Sequence, residues 1–419
     1  MVKKLQKCLR PLVTFFLIKT SLLILIFPLP ASATVPSTAT SKLKPEIASA
    51  IDEAVEDIGY DQTSIGVIYG GNLVYARGYG CAAERESGIA SVSKAILTAL
   101  TMILEEKGIV DLDDDVSPSG YTFNLNGNPV PVTLRHLLSN RSGIIGCNET
   151  GEPPQTYDLR QAPGEAYQYC NNGFNLTLWH LAKVTCHSYG TCNNFEGRYD
   201  RETYQQLLDE YLNPKLDIAI TTNPNASWYG SGGIKTNAAH LALYAAGLLN
   251  DQLISRFHRD LMWTQIKPGP YGMGWFVHSS GYWDNPDSTG KPYIYVPGYV
   301  SSHSAIIRVF EEDSPQKMAI AGISSQGSQD GYQKLSSITL GIRSKLLSTD
   351  NPCLNPDDCL PPIRPICFGQ NDQIDTDDAI TFTGFYLSNN GSIDIVSDQI
   401  INSLEFGYLT NFWKASCRH

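Results

Sequence analysis

Strand-like runs stand towards both ends of this chain, and that placement limits what it can fold into. Thr63 to Tyr69 (TSIGVIY) and Asn72 to Tyr79 (NLVYARGY) flank Gly70-Gly71 and read as a hairpin. Three further runs come far downstream: Tyr271 to His278, Ser301 to Phe310 and Lys317 to Ser324. Between the two groups, from about residue 110 to 265, lies a turn-rich stretch with short helical patterns. Strands so far apart in sequence bury their faces most simply by joining one antiparallel sheet. Helices at Ser41 to Gly59 and Tyr332 to Leu347 would flank that sheet, and the middle of the chain would form a helical half. The expected class is α/β in the layered α+β sense, with a cleft where the halves meet.

The ends are different in kind. Residues 1–33 begin with Lys3, Lys4, Lys7 and Arg10, continue with an apolar run, and finish on Ala31-Ser32-Ala33. This reads as a secretory signal, since Lys19 and two prolines make a poor membrane span. An uncleaved N-terminal anchor is the competing reading. The expected units are therefore the signal at 1–33, the main domain at 34–349, and a Cys/Pro-rich extension at 350–419. Within the extension, Thr381 to Val396 reads as a hairpin about Asn390-Gly391. The extension is too short to bury much core alone, which favours a disulfide-pinned strap on the main domain over a separate module.

Removal of the signal would take the formal net charge from −11 to −16. An acidic exported chain without a basic stripe is a poor candidate for nucleic acid or anionic lipid. No second hydrophobic span follows, so no stable membrane segment is expected once the signal is gone. Nine cysteines would remain, and export favours disulfides. Cys186/Cys192 and Cys353/Cys359 are spaced for short loops and Cys367/Cys417 for a longer one, with connectivity open. No Cys-x-x-Cys pair is present, and His187 beside Cys186 is an isolated hint, so no metal is expected. Asp113-Asp114-Asp115 reads as a solvated turn, without the spacing of a calcium loop.

The chemistry concentrates at Ser91-Val92-Ser93-Lys94. Ser-x-x-Lys occurs four times, starting at Ser41, Ser91, Ser288 and Ser314, but only at Ser91 does it open a long apolar-periodic run, Lys94 to Lys107, stopped by Gly108. Ser and Lys three apart on a first turn share one face. A desolvated, neutral amine can take the serine proton. The positive end of the helix favours the negative charge that develops there. The bland alternative is a capping serine and a solvated lysine.

Such a pair needs a proton relay and a polar group to hold the lysine. Tyr169-Cys170-Asn171 offers Tyr169 for the first and Asn171 for the second. Cys170 would be either a buried thiol or half of a disulfide to Cys147 that braces Tyr169. His136 reads as a packing or capping residue. Asn-x-Ser/Thr sequons stand at Asn140, Asn148, Asn175, Asn225 and Asn390.

Taken in order, these segments resemble the β-lactamase-related serine hydrolases: class C-type β-lactamases, D-alanyl-D-alanine carboxypeptidases, D-aminopeptidases and related esterases. IASVSKAILTALTMILEEKGIVDLDDDV is similar to that family's nucleophile helix. VTLRHLLSNRSGI, APGEAYQYCNNGFNLTLWHLAKVT, YGSGGIKTNAAHLALYAAGLLN and YGMGWFV resemble its later motifs, over roughly residues 42 to 346. The resemblance implies an antiparallel sheet with flanking helices plus a helical subdomain, a covalent acyl-enzyme, and no cofactor. It implies Ser91 as nucleophile, Lys94 as base, Tyr169 as relay, and Asn171 as the residue that positions Lys94 and the substrate.

One motif departs from the family. Where it has Lys-Thr-Gly or His-x-Gly, this chain has Val296-Pro297-Gly298, followed by Tyr299. A shifted alignment places the motif at Pro292 to Ile294, again without Lys or His. The resemblance implies an oxyanion hole from the backbone N–H groups of Ser91 and Tyr299, with Gly298 and Val296 against the substrate. The absent cation normally meets a substrate carboxylate, and such a bond contributes ~1.5–3 kcal/mol. Lys291 or His303 is the candidate replacement. The expected substrate is a small molecule or peptide carrying an ester or amide and lacking that carboxylate. The rival readings are a penicillin-recognising carboxypeptidase or β-lactamase, and a non-catalytic binding or envelope protein. The expected location is the periplasm or the exterior, and the sequence sets no oligomeric state.

Overall fold

The computed structural model describes residues 40–56, 62–148, 155–189, 201–226, 229–278, 293–310, 316–349 and 351–360. The signal segment, Lys291, Cys192, Cys367, Cys417 and the 381–396 hairpin lie outside them, as does the side chain of Cys186.

The main sheet has seven strands: β1 (Thr40–Ser41), β2 (Thr63–Tyr69), β3 (Asn72–Tyr79), β4 (Phe276–His278), β5 (Tyr293–Val300), β6 (His303–Phe310) and β7 (Met318–Ser324). Their order is β1-β3-β2-β7-β6-β5-β4, and every neighbouring pair is antiparallel. The N-terminal hairpin thus joins the downstream strands along β2 and β7, where Gly66 lies opposite Ala321.

Five helices frame the site: α1 (Pro45–Glu56), α2 (Ser93–Glu106), α3 (Asn171–Tyr189), α4 (Ala238–Leu249) and α5 (Ser328–Leu347). The first and last, α1 and α5, pack on each other, and α5 lies on β6 and β7. Ile47, Ile51 and Val55 of α1 and Leu335, Ile338, Ile342 and Leu346 of α5 are buried in the common core. Helix α4 packs on β2 and β7. It comes close because Gly66 has no side chain: a Cβ there would lie 2.5 Å from the Ala238 carbonyl oxygen. Helix α2 is buried from Ser93 through Leu104, on every side. A helix apolar all round belongs inside a domain. It ends where Gly108 turns left-handed (φ +66°) and its N–H bonds the Glu105 carbonyl.

Differences from the sequence expectation are local. Of Tyr271 to His278 only the last three residues form strand, because Gly274 (φ +74°) turns the chain before them. Strand β5 was not among the expected strands, since Pro297 and Gly298 interrupt its apolar run. Strand β4 pairs only with Tyr293–Tyr295. Beyond that point one side of β5 has no strand neighbour among the described residues, and a proline is tolerated at such an edge.

Residues 351–360 fold back on the main domain. The Lys44 N–H bonds the Pro352 carbonyl at 2.8 Å, the Leu354 N–H bonds the Lys42 carbonyl at 2.7 Å, and Cys353–Cys359 closes the loop as a disulfide. Among the described cysteines Cys81 is unpaired.

Candidate active site

The serine lies on a single 3-10 turn, Ala90–Val92, that runs directly into α2. Ala90 takes a left-handed conformation (φ +46°), which L-residues rarely adopt outside constrained sites. The segment Ser231–Ile234 holds the turn in place. The Ile89 N–H bonds the Ile234 carbonyl at 3.1 Å, and the Ile234 N–H bonds Ser93 Oγ at 3.1 Å.

Lys94 is fully buried. Its Nζ donates to Ser91 Oγ at 2.9 Å and to the Ser231 carbonyl at 2.9 Å. The amine sits 4.9 Å from the Tyr169 ring centroid and 5.5 Å from that of Phe174. Burial holds its pKa well below the usual lysine value, because the ammonium loses its water without gaining an anion.

Tyr169 comes to the same point from the other side. Its hydroxyl hydrogen-bonds the Ser91 side chain, and desolvation pushes its pKa far above that of an ordinary phenol. The ring stacks on Phe276 at 6.2 Å and meets Tyr271 edge-on at 6.4 Å. Tyr169 is therefore a neutral hydroxyl, and Lys94 is the group whose proton affinity has been lowered.

Asn171 stands elsewhere than expected. It opens α3, and its Nδ2 donates to Asn148 Oδ1 at 2.8 Å. The contact with the lysine that the resemblance assigned to Asn171 is made instead by the Ser231 carbonyl, whose own N–H is held by Asn175 Oδ1 at 3.1 Å. The YGSGGIKT stretch carried this signal, but a role for a backbone carbonyl leaves no mark in residue identity. Cys147 and Cys170 form a disulfide, and the Asn172 N–H bonds the Cys147 carbonyl at 3.1 Å. The residues around Tyr169 are thereby tied to the loop after SNRSG.

The third wall is β5. A Cβ on Gly298 would lie 2.3 Å from the Ile89 carbonyl oxygen and 3.0 Å from the backbone nitrogens of Ser91 and Val92. Only glycine lets the strand come this close to the Ser91 N–H. Val296, two residues back on the same face, is buried. Tyr299 is 44% exposed, and its ring stacks on Tyr332 at 6.0 Å.

His303 pairs across from Val300 on that face, and its ring presses on Gly88, three residues before Ser91. Its Nδ1 shares a hydrogen bond with Ser302 Oγ at 3.0 Å, and burial lowers its pKa, so near neutral pH it is an uncharged imidazole. His136 is a capping residue: with Thr133 it forms a capping box at Leu134–Leu138. Asp113 pairs with Arg135 at 2.8 Å. Of the described sequons, Asn140 and Asn175 are buried.

An antiparallel sheet with a helical half, and a half-buried serine on a buried lysine at their junction, is the architecture of the penicillin-binding-protein and β-lactamase class. The comparisons agree. The beta-lactamase family model matches residues 47–331, and the chain belongs to that family. A putative penicillin-binding protein, PbpX, of Bacillus subtilis (strain 168) is 23% identical over 273 residues, covering 55% of this chain and 66% of that protein. Protein flp of Staphylococcus aureus (strain MW2) is 22% identical over 266 residues, covering 52% of each. The match thus spans less than two thirds of the length of these relatives. Among solved structures, the octameric penicillin-binding protein homologue from Pyrococcus abyssi aligns with a TM-score of 0.55 at 20% identity, over 75% of this chain and 79% of that one. A beta-lactamase/D-alanine carboxypeptidase from Yersinia pestis gives 0.56 at 16%, over 72% and 98%. A D-amino acid amidase from Ochrobactrum anthropi gives 0.55 at 14%, over 72% and 99%. At these identities the likeness is one of fold.

Proposed function

We propose that the protein is an exported serine hydrolase that cleaves an ester or amide through an acyl-enzyme at Ser91. The observation that carries this reading is the 2.9 Å contact between Ser91 Oγ and the buried Nζ of Lys94. Neutral Lys94 takes the serine proton as Oγ attacks the carbonyl carbon. The oxyanion is met by the backbone N–H groups of Ser91 and Tyr299. Tyr169 gives its proton to the departing alcohol or amine and receives one from Lys94. Water then attacks the acyl-enzyme by the same steps in reverse, regenerating Ser91 and releasing a carboxylic acid.

The substrate class follows from β5. Val296 stands where a carboxylate-binding cation would be, and His303 is uncharged. A carboxylate there would meet no charged partner on the described part of β5 or at His303, and desolvation without one is costly. Acyl donors that lack this carboxylate fit better than penicillins or D-Ala-D-Ala termini, and amides of D-amino acids belong among the candidates.

The test is the intact mass of the mature protein after treatment with a fluorophosphonate, followed by peptide mapping. One adduct on the Ser91 peptide is expected. A folded protein that takes no adduct overturns the reading and leaves a binding function. Hydrolysis of penicillin as efficient as that of aryl esters overturns the substrate class.

Gly298→Ala tests the oxyanion wall. The added methyl has no room beside the Ile89 carbonyl, so β5 must move away from the Ser91 N–H. Loss of one oxyanion donor costs about a hundred- to a thousandfold in kcat. The expected result is a fall of that order with KM little changed, measured on an aryl ester with Tm alongside.

A further inference from the structure

Both neighbours of Tyr169 are held by one residue. Asn140 is fully buried in a left-handed conformation (φ +58°). Its backbone carbonyl accepts the Gln168 N–H at 2.8 Å, and its Oδ1 accepts the Cys170 N–H at 2.9 Å. The left-handed turn lets main chain and side chain bond the same segment, one residue either side of the tyrosine. The Asn140 side chain also bears on the Tyr271 hydroxyl, although neither Nδ2 nor that hydroxyl makes a hydrogen bond of full geometry. The Tyr271 ring in turn meets Tyr169 edge-on.

We infer that Asn140 is the positioning residue for Tyr169: it fixes the backbone on both sides of the relay and so sets where the phenol hydroxyl stands against Ser91 and Lys94. The inference rests on the proposed role of Tyr169 and deepens it. Asn140 acts through the tyrosine, not on the substrate. The Cys147–Cys170 disulfide fixes the same stretch covalently, but only on its C-terminal side. Removal of the Asn140 amide would free the Cys170 N–H and let the tyrosine swing about its own backbone. A displacement of about 1 Å in a reacting group can cost on the order of a hundredfold.

Three variants test this, assayed on an aryl ester with thermal melts alongside. Asn140→Gly keeps the left-handed backbone at no steric cost and deletes Oδ1. It is expected to lower kcat by roughly ten- to a hundredfold with KM little changed. Asn140→Asp keeps the acceptor and tolerates the same backbone, and should retain most of kcat. Asn140→Gly placed in a Tyr169→Phe background should add no further loss, because the relay it positions is already gone. Asn140→Ser, too short to reach the Cys170 N–H, takes the place of the glycine variant if that one does not fold. A glycine or serine variant with the parent kcat overturns the inference. So does an aspartate variant as slow as the glycine one, or losses that multiply in the Tyr169→Phe background. A wild type that takes no fluorophosphonate overturns the proposed function and this inference with it. An active wild type whose glycine variant keeps its kcat overturns the inference alone.

Discussion

Ser91→Ala is expected to abolish the fluorophosphonate adduct and to lower kcat by a factor on the order of a million, as when a catalytic unit loses its nucleophile. What survives should come from the oxyanion wall and from binding, which alone give roughly a thousandfold over water in enzymes of comparable design. The fold should be unaffected, because Ser91 sits on a turn held by Ile234 through Ile89 and Ser93, and neither bond involves the serine side chain. Single-turnover assays with an aryl ester, with circular dichroism on the same sample, read both expectations. A variant retaining more than about a hundredth of the parent rate would place the nucleophile elsewhere.

Lys94→Met should cost nearly as much, and the double variant no more than either single one, because the two residues act as a unit. Methionine fills the same space without an amine, so Ser91 keeps its position but loses the group that takes its proton. The pH dependence of stability gives an independent reading. The folded-state pKa of Lys94 lies well below the reference value of 10.5, so between those two values the unfolded chain binds the extra proton and the folded chain does not. Stability from this site therefore rises with pH across that window and is lost as pH falls towards the folded pKa. The Lys94→Met protein should lack this contribution. Its Tm should rise less steeply between neutral pH and 10.5 than that of the wild type. Identical slopes would mean that Lys94 is charged in the folded protein, and the proposed base would fail.

The α2 helix and most strands were legible because their patterns are local. TSIGVIY and NLVYARGY carry their own turn, and KAILTALTMILEEK carries its period and its terminating glycine. The Ser91–Lys94 contact was legible for the same reason, since three residues along one turn fix it. The place of Tyr169 beside Ser91 and Lys94 is one that the ordered set of motifs implies and residue spacing alone does not. The holding of Lys94 was misread, because Asn171 has the right side chain at the right offset while the Ser231 carbonyl does the bonding. No residue type encodes a carbonyl. Strand β5 escaped because its distinguishing residues, Pro297 and Gly298, break the pattern by which strands are recognised. The glycine is there for the approach to Ser91, so the requirement of the site erased the signature of the element.

The loop at 351–360 bears on a hazard faced by any open sheet. An unpaired outer strand offers its backbone to other chains and invites aggregation. Along β3 those groups are taken up from Val74 to Ala76. Thr40 and Ser41 pair with Ala76 and Tyr75, the Lys42 N–H bonds the Val74 carbonyl at 2.8 Å, and the Asn72 side-chain Nδ2 donates to the carbonyls of Asp358 and Leu360 and so anchors the loop there. The Cys353–Cys359 bridge keeps that cover folded. At the opposite margin the described part of β4, Phe276–His278, pairs with Tyr293–Tyr295 of β5. Among the described residues the sheet is thus covered along part of one margin, where the disulfide-closed loop and the segment before it do what a further strand would otherwise do.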